Sequence, residues 1–396
     1  MKKLAILGPG TVGGSCAQIL LRDAAILEKN AGERLELSYV LARHDIPGKP
    51  FRDRLVTDFS VIERDPEVFL VIETIGGCGA ALDYVQRALA AGKHVVTANK
   101  QLVAEHGAAL LQLAKDHGVS FLFEAAVGGG IPVLHPISQC LGANELYEVR
   151  GILNGTTNFI LTQMLCFGQS YGDALREAQS RGYAEQDPTA DVAGIDAGRK
   201  ICILADIAFG KTVDPGRICM TGICAITAAD AAFAQSSGMH LKLLGRAVRQ
   251  GSGLAVFVAP HFVPDAMALA PVPGVLNAIE VRGSSIGSAM FYGPGAGGPA
   301  TASAVLGDVV DIVRNPGRKQ PVDWSSAPAA LTDPGELPSV FFLRTTQDKA
   351  LCEQALGPIR WLPDAGGFHG GFTGETTKNA IDASGLSPDA VFPVLA

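Results

Sequence analysis

The stretch Leu4-Ala5-Ile6-Leu7-Gly8-Pro9-Gly10-Thr11-Val12-Gly13 decides the fold of the first part of the chain. Its four apolar residues have the length of a short strand, and the glycines that follow fit G-x-G-x-x-G at the start of a helical pattern. Gly8 permits a tight turn, Gly10 leaves the backbone bare beside a pyrophosphate, and Gly13 lets the helix approach the strand. The helix N-terminus adds N–H donors and the positive end of its dipole. The stretch therefore predicts a dinucleotide-binding loop, with a purely structural glycine turn as the alternative.

The alternation of strand and helix continues to about residue 123. Glycines near the ends of the helical stretches are typical of helix C-caps. Strand, helix and strand at this spacing predict a parallel, doubly wound α/β sheet of the Rossmann type. The predicted strands are residues 4–7, 35–41, 68–73, 94–97 and 120–123, and the predicted helices are residues 11–27, 80–91 and 104–117.

After residue 132 the pattern changes to a mixed one, so we expect a second domain of the α+β type. It begins with a short helix at 134–141 and a strand at 147–153. Two helices follow around 173–209, and strands at 254–259 and 276–282. The expected organisation is a nucleotide-binding domain at 1–132, with helix 301–315 packing back onto it, a substrate-binding and dimerisation domain at 133–300, a Pro- and Asp-rich linker at 316–338, and a last segment at 338–396.

The composition excludes several classes of function. The 396 residues carry 32 Lys and Arg against 39 Asp and Glu, a net charge of −7, without any basic run, which argues against nucleic acid and membrane surfaces as partners. No apolar run is long enough to span a bilayer. The eight cysteines and the eight histidines show none of the spacings typical of zinc ligands. We therefore expect a cytoplasmic globular protein with reduced cysteines.

The most informative polar stretch runs from residue 182 to residue 200 and carries four acids close to a lysine. Asp196 and Lys200 are four residues apart and so share one helix face, just before residues 201–205, which are apolar on every face. An exposed ion pair of this kind would stabilise the helix by only about 0.2–0.5 kcal/mol. Burial of the helix instead favours a cleft. Lys100 follows the fourth parallel strand, where ligands bind in open α/β sheets.

A protonated lysine suits nicotinamide chemistry, because it can stabilise a developing alkoxide and donate a proton to it. Nearby carboxylates suit a substrate with an ammonium group. The choice between NAD and NADP depends on the end of the second strand. The first polar residue there is Arg43, which favours NADP, whereas Asp45 could bind the ribose of NAD if Arg43 is only a solvated charge.

The chain resembles the homoserine dehydrogenase family. The resemblance rests on the spacing of Ala178, Gly182, Asp187-Pro188, Asp191, Gly194, Asp196 and Lys200, and covers about residues 1–315. The other matching segments are Gly8 to Gly13, Ala98 to Lys100, Glu124 to Pro132, Gly151 to Asn158 and Gly293 to Asp308.

The resemblance implies the reversible NAD(P)H-dependent reduction of L-aspartate 4-semialdehyde to L-homoserine, a step in threonine, methionine and isoleucine biosynthesis. By position it implies that Lys200 is the acid/base with Lys100 beside it, that Glu185 and Asp196 hold the substrate ammonium group, and that Asp191 supports the lysines. It places Gly155 and Thr156 in the substrate pocket. The cofactor contacts implied by motif and resemblance together are Gly8, Gly10, Thr11, Val12, Gly13, Arg43, Lys100, Gly182, Glu185 and Gly297.

The resemblance also implies a monovalent cation, usually sodium, on Glu124 and the carbonyls of Val127, Gly129 and Ile131, and a homodimer formed by the second domain. The segment Ser339 to Arg344 looks like the first strand of the ACT regulatory domain of many family members. Because the chain ends early for a full domain, we expect a shortened or degenerate ACT-like segment, or else a tail that caps the dimer.

Two further motif matches in the sequence lack the context that their functions require. Gly283 to Gly287 fits G-x-S-x-G, but a nucleophile elbow needs a helix directly after its serine, and a Gly/Pro-rich segment follows instead. Phe209 to Thr212 lacks the first glycine of a P-loop. Two readings stay open: a dehydrogenase for another small amino acid, and a non-catalytic NADP-binding regulator.

Overall fold

The computed structural model describes residues 1–317 and 322–396, which form two compact units. The first unit contains Met1–Glu145, Cys202–Pro215 and Gly293–Pro328, and the second contains Leu146–Ile201, Gly216–Tyr292 and Ala329–Ala396. These bounds differ from the expected ones, since residues 133–145 lie in the first unit. The physical reason is that the buried Glu124 carboxylate accepts hydrogen bonds from three successive backbone N–H groups at 133–135. Residues 318–321 of the predicted linker lie outside the described residues.

A six-stranded parallel sheet is the framework of the first unit, in the order β3-β2-β1-β4-β5-β6. This order reverses direction between β1 and β4, the arrangement that creates a ligand crevice at the carboxyl ends of the strands. The predicted Rossmann-type sheet is confirmed. Its elements are β1 (Lys2–Leu7), α1 (Thr11–Arg22), α2 (Ala24–Ala31), β2 (Leu35–Leu41), β3 (Leu55–Val56), α3 (Phe59–Arg64), β4 (Val68–Glu73), α4 (Gly79–Ala90), β5 (His94–Thr97), α5 (Lys100–Asp116) and β6 (Phe121–Leu122).

Two predicted helices of this unit have different bounds in the structure. The stretch predicted as one helix at 11–27 is interrupted at Asp23, whose backbone leaves the helical region and whose carboxylate binds the neighbouring Arg22. Helix α5 begins at Lys100, four residues before the predicted start. The Asn99 side chain caps it by accepting from the N–H of Leu102 at 3.1 Å.

The remaining elements follow the chain through the second unit and back to the first. They are β7 (Leu146–Ile152), α6 (Gly155–Phe167), α7 (Tyr171–Ser180), α8 (Thr189–Val192), α9 (Ile195–Phe209), β8 (Lys211–Thr212), β9 (Cys219–Met220), α10 (Ala228–Ser236), β10 (Met239–Gln250), β11 (Gly253–Pro264), β12 (Leu276–Gly283), β13 (Gly287–Pro294), α11 (Gly298–Arg314), β14 (Ser325–Pro328), β15 (Ser339–Thr345), α12 (Lys349–Leu356), β16 (Arg360–Trp361), β17 (His369–Thr376), α13 (Lys378–Ala383) and β18 (Ala390–Pro393).

Helix α11 belongs to the core of the first unit. Its apolar stripe of Val305, Val309 and Val313 is buried in one cluster with the β1 residues Leu4 and Ile6. The helix therefore covers one face of the parallel sheet although about 175 residues separate it from β6 along the chain. None of the described helices has the length and apolar character that a membrane crossing requires.

The second unit is built on a six-stranded sheet in the order β13-β12-β7-β10-β11-β9. Strand β10 was not predicted, because buried charged residues interrupt its apolar pattern. Lys242 is one of them, and the partly buried Arg246 donates to the Glu148 carboxylate of neighbouring β7. A second arginine, Arg150 on β7, binds Glu280 on β12, with Nε at 3.0 Å from the carboxylate. Charged side chains of this sheet thus pair across neighbouring strands.

The last segment forms a complete β-α-β-β-α-β unit with an antiparallel sheet in the order β16-β17-β15-β18. This is the split β-α-β arrangement. The strand expected at 339–344 coincides with β15, whereas β16 has only two residues. The expectation of a shortened or degenerate ACT-like segment stays a prediction. Whether the unit has a regulatory role stays a prediction.

Candidate active site

The three glycines of the Gly8–Gly13 loop have distinct surroundings. Gly8 has a φ of +86°, a conformation that L side chains rarely adopt. A Cβ on Gly13 would lie 2.2 Å from the Gly8 carbonyl oxygen and 2.5 Å from Thr74 Oγ1. A Cβ on Gly10 would meet no atom within 4 Å. The loop therefore needs Gly8 and Gly13 for its own geometry, whereas Gly10 keeps space open at the N-terminus of α1.

A cleft of about 510 Å³ lies against this loop. Gly10 is the N-cap residue of α1 and makes no side-chain cap, which leaves the first-turn N–H groups to a ligand or to water. This combination fits the pyrophosphate of a dinucleotide. The lining residues are Gly8, Pro9, Gly10, Leu41, Ala42, Arg43, His44, Asp45, Ile46, Thr57, Thr74, Ile75, Ala80 and Tyr84.

Arg43 and Asp45 both line the cleft, and both are exposed. The Asp45 carboxylate is engaged by the Arg52 guanidinium, whose Nε lies 2.9 Å from Oδ1. Hydrogen bonding to this guanidinium lowers the pKa of Asp45 below its usual value. Arg52 thus competes for the acceptors that a ribose hydroxyl would need on Asp45.

Two residues that sequence analysis missed shape the carboxyl ends of β4 and β5. Glu73 is fully buried, accepts from the N–H of Ile75 at 2.7 Å, and accepts from the Thr97 hydroxyl on the neighbouring strand. Its burial raises the pKa of this carboxyl. Asn99 donates from Nδ2 to the Gly77 carbonyl at 2.6 Å. Both residues lie at the carboxyl ends of adjacent strands, and this position could have indicated from the sequence that they belong to the ligand crevice.

The structure places Lys100 and Gly297 at the starts of helices. Lys100 is the first residue of α5, directly after the Asn99 cap. Gly297 is the N-cap of α11 with a φ of +111°, and a Cβ on the next residue, Gly298, would lie 3.0 Å from the Thr11 carbonyl. The beginnings of α1 and α11 are therefore neighbours, and predicted cofactor contacts from both lie close together.

The predicted cation ligands lie at the turn after β6. Gly129 has a φ of +57°, and a Cβ on it would lie 2.5 Å from the Gly295 carbonyl. The Glu124 carboxylate accepts from three backbone N–H groups, which occupy most of its acceptor positions. Backbone carbonyls at this turn are hard oxygen donors, and such donors fit a cation that prefers oxygen.

In the second unit, the predicted pair of Asp196 and Lys200 is buried near the start of α9, with side chains 6% and 10% exposed. Lys200 Nζ lies 2.7 Å from Asp196 Oδ2 and 2.8 Å from the Leu153 carbonyl. The surface ion pair considered as an alternative is therefore excluded. The part of α9 that follows this pair is also buried, since Ile201 to Ala205 have no exposed surface.

Asn154 organises this lysine group, and sequence analysis gave it no role. Its Oδ1 caps α6 by accepting from the Thr157 N–H at 2.8 Å. Its Nδ2 donates to Asp191 at 2.7 Å and to Asp196 at 2.9 Å. Burial and the neighbouring Asp196 charge raise the pKa of Asp191, while the hydrogen bond from Asn154 lowers it in part. One amide thus brings both acids to the group that holds the lysine.

The other predicted substrate residues lie nearby or on the adjoining loop. Gly155 begins α6 directly after Asn154, and a Cβ on it would lie 2.5 Å from the Val275 carbonyl. Thr156 donates from Oγ1 to the Tyr183 carbonyl at 2.6 Å, which ties α6 to the loop between α7 and α8. Gly182, with a φ of +73°, and the exposed Glu185 lie on that loop. The described hydrogen bonds do not join the Glu185 carboxylate to the Lys200 group.

Comparison with known proteins gives matches along most of the chain. The family model described as homoserine dehydrogenase matches residues 132–310, and the model of the homoserine dehydrogenase NAD-binding domain matches residues 8–124. The homoserine dehydrogenase of Pseudomonas aeruginosa is 42% identical over 352 residues, which covers 86% of this chain and 81% of the relative. That of Corynebacterium glutamicum is 42% identical over 351 residues, covering 86% and 78%.

Solved structures give the same result. The crystal structure of a homoserine dehydrogenase from Thiobacillus denitrificans superposes with a TM-score of 0.89 at 34% identity, and the match covers 100% of this chain and 98% of that one. A hyperthermophilic archaeal homoserine dehydrogenase in complex with NADPH has a TM-score of 0.65 at 24% identity and supports the fold alone.

Proposed function

The chain belongs to the homoserine dehydrogenase family, and from this premise we propose that Lys200 moves the proton in its reaction. The activity of the chain is the reversible NAD(P)H-dependent reduction of L-aspartate 4-semialdehyde to L-homoserine, in the biosynthesis of threonine, methionine and isoleucine. The observation that carries the proposal for Lys200 is its burial between the Asp196 carboxylate and the Leu153 carbonyl.

Lys200 acts as the general acid in reduction and as the general base in oxidation. The nicotinamide, when bound, supplies or accepts the hydride at the substrate carbon. The Lys200 ammonium donates its proton to the aldehyde oxygen as that oxygen gains negative charge, and the neutral amine takes the proton back in the reverse direction. Fixed acceptors at 2.7 and 2.8 Å position Nζ before substrate arrives, which lowers the cost of reorganisation.

The acids around Lys200 have separate proposed roles. Asp196 positions the lysine and, with Glu185, binds the substrate ammonium group, while Asp191 supports the group through Asn154. Gly155 and Thr156 line the substrate pocket. Lys100 is proposed as the second lysine of the reaction, at a site in the nucleotide-binding unit where strand ends and helix starts meet.

The cofactor loop has proposed contacts at Gly8, Gly10, Thr11, Val12 and Gly13, with Gly182 and Gly297 as further ones. We propose NADP as the preferred cofactor and NAD as a weaker one. Arg43 lines the cleft and can hold a 2′-phosphate, while Asp45 is already engaged by Arg52. Arg43→Ala is expected to weaken NADPH binding more than NADH binding, and kinetics with both cofactors test this. Equal effects on the two cofactors would contradict the preference.

A monovalent cation, with sodium as the first candidate, is proposed on Glu124 and the carbonyls of Val127, Gly129 and Ile131. Hard backbone oxygens at this turn support it. The measurement is thermal unfolding in sodium against a bulky organic cation at equal ionic strength, where sodium is expected to raise the midpoint. An unchanged midpoint would remove the cation from the proposal.

A homodimer formed through the second unit, in the cytoplasm, is also proposed. Its support is the edge strand β13, where Met290 and Tyr292 lie on one face with 39% and 50% of their surface exposed. Light scattering should show two copies for the unmodified chain and one copy for Met290→Glu. Residues 338–396 are proposed as an ACT-like segment, and a threonine titration tests its role: unchanged activity would support a degenerate segment without feedback.

The central experiment compares Lys200→Ala with Lys200→Arg. Loss of a positioned acid/base should lower kcat by roughly 10²–10⁴ in the alanine variant. Arginine keeps the positive charge but does not release its proton in proteins, so the arginine variant should be similarly slow. NADPH binding, followed by cofactor fluorescence, should persist in both. Near-normal turnover of Lys200→Arg would show that the lysine acts through its charge alone.

Substrate range separates the family activity from the remaining alternatives. Homoserine oxidation, followed as NADPH formation, should exceed the oxidation of other small hydroxy amino acids. Background activity on homoserine with normal activity on another amino acid would identify a different dehydrogenase, and cofactor binding without turnover would identify a regulator.

A further inference from the structure

Three side chains of metal-ligating types meet in the first unit, on elements other than the turn that carries the predicted cation ligands. Cys78 is the N-cap residue of α4, and Glu105 and His106 lie in the second turn of α5. One ligand atom of each lies within 4.8 Å of the other two, and Cys78 Sγ is 3.3 Å from Glu105 Oε2. Twenty-eight residues separate the cysteine from the histidine, so no local spacing predicts the cluster.

The donor chemistry selects the ion. Sulfur, nitrogen and carboxylate oxygen are the three donor types that Zn²⁺ binds, at about 2.0–2.3 Å each. Ligand atoms around such an ion are about 3.3–3.8 Å apart, so side-chain movements of about 1 Å would bring this cluster to zinc geometry. Cys78 and His106 are partly buried while Glu105 is exposed, which gives an ion a path from solvent.

A bound ion would replace the thiol proton that lies between Cys78 and Glu105. In the structure the Cys78 thiol donates to Glu105 Oε2. A thiolate and a carboxylate this close would repel each other unless a proton or a cation lay between them. Binding therefore exchanges one proton for the metal: the S–H bond breaks, the sulfur–zinc bond forms, and the proton passes to the buffer. The α4 N-terminus, at the cysteine, favours the thiolate.

We propose that Cys78, Glu105 and His106 form a zinc(II) site, with water in the fourth position. The two anionic ligands neutralise the charge of the ion. The site joins the start of α4 to α5, next to the hydrogen bond by which Asn99 Nδ2 already holds the Gly77 carbonyl. Because the ion binds only the folded arrangement, it stabilises the first unit by RT ln(1 + c/Kd), where c is the concentration of free Zn²⁺.

A second cluster of the same kind does not carry this inference. Glu124, His135 and Asp308 also meet the distance condition. However, Glu124 is engaged by three N–H donors, and its own N–H donates to Asp308 at 2.9 Å. Glu124 is also a ligand of the proposed monovalent cation site, so this cluster belongs to a site already described.

Cobalt(II) is the probe for the test, because a thiolate–cobalt bond gives a charge-transfer absorption band. Metal-stripped full-length chain is titrated with Co²⁺, and Zn²⁺ is then added. We expect the band to saturate at one equivalent, to disappear with Zn²⁺, and to be absent from Cys78→Ser. His106→Gln should weaken binding by at least about tenfold, since even indirect partners of a metal contribute that much. Calorimetry in two buffers should show release of one proton.

The control is Cys140→Ser, which removes an exposed free cysteine that belongs to none of the described ligand clusters. It should bind Co²⁺ like the unmodified chain. Absence of the band in the unmodified chain at one equivalent would overturn the proposal, and so would a band that persists in Cys78→Ser. None of these readouts depends on dehydrogenase activity.

Discussion

Gly13→Ala tests the close approach of α1 to β1 that the glycine loop permits. The new Cβ would lie 2.2 Å from the Gly8 carbonyl oxygen, whereas ordinary contact begins near 3.4 Å. It would also lie 2.5 Å from Thr74 Oγ1, which donates to the Gly8 carbonyl at 2.7 Å. The helix or the strand must therefore move by about 1 Å in a closely packed region.

The expected magnitude follows from three terms. Overpacking of this kind costs about 1–3 kcal/mol. Disturbing the Thr74 hydrogen bond adds about 0.5–1.5 kcal/mol. Alanine in place of glycine inside a helix returns up to about 1 kcal/mol. The steric cost exceeds the gain in helix propensity, so we expect Gly13→Ala to lower the unfolding free energy of the first unit by about 2 kcal/mol.

The assay is urea unfolding followed by the fluorescence of Trp324. The chain has two tryptophans, and a Trp361→Phe background leaves only Trp324, which is buried in the first unit. With a slope of about 2 kcal/mol per molar urea, the midpoint should fall by roughly 1 M.

Gly10→Ala is the matched control for this prediction. A Cβ there meets no atom within 4 Å, and the φ of −71° suits alanine, so stability should fall by less than about 1 kcal/mol. NADPH binding should instead weaken by about tenfold or more, because the methyl group takes the space beside the pyrophosphate. Equal stability of Gly13→Ala and the unmodified chain, or equal losses in the two variants, would refute the reasoning.

Two further predictions concern buried charges. Burial raises the folded-state pKa of Asp206 well above its usual value, so its cost to stability is absent below about pH 4, where the unfolded carboxyl also holds its proton, and grows as pH rises. Asp206→Asn keeps the acceptor for the Val213 N–H, so we expect it to be more stable than the unmodified chain near pH 7–8. The difference should shrink as the pH falls toward 4 in denaturant titrations, and a difference that does not change with pH would contradict this. Arg150→Ala leaves Glu280 without its buried partner and should lower the free energy of unfolding by about 3–5 kcal/mol. The control, Arg176→Ala, removes an exposed ion pair and should change the free energy of unfolding by less than about 0.5 kcal/mol. Similar unfolding midpoints for the two variants would contradict this prediction.

Local signals explain how far sequence analysis could go. The glycine loop, the parallel sheet and the placement of Asp196 and Lys200 on one helix face all follow from spacings of a few residues. Strand β11 is predicted only at 254–259 and strand β10 is not predicted, since a buried charge such as Lys242 resembles a surface position in a sequence. Its burial depends on partners from other parts of the chain.

The sequence by itself determined that the chain binds a dinucleotide on a parallel sheet and carries a buried lysine–aspartate pair, because glycine turns and helical repeats are set within one or two turns of the backbone. Only the tertiary structure decided which distant groups complete these sites. Asn154 reaches Asp191 and Asp196 across 37 and 42 residues, and Cys78 meets Glu105 across 27. Such contacts depend on how strands and helices pack, and no local pattern specifies that packing.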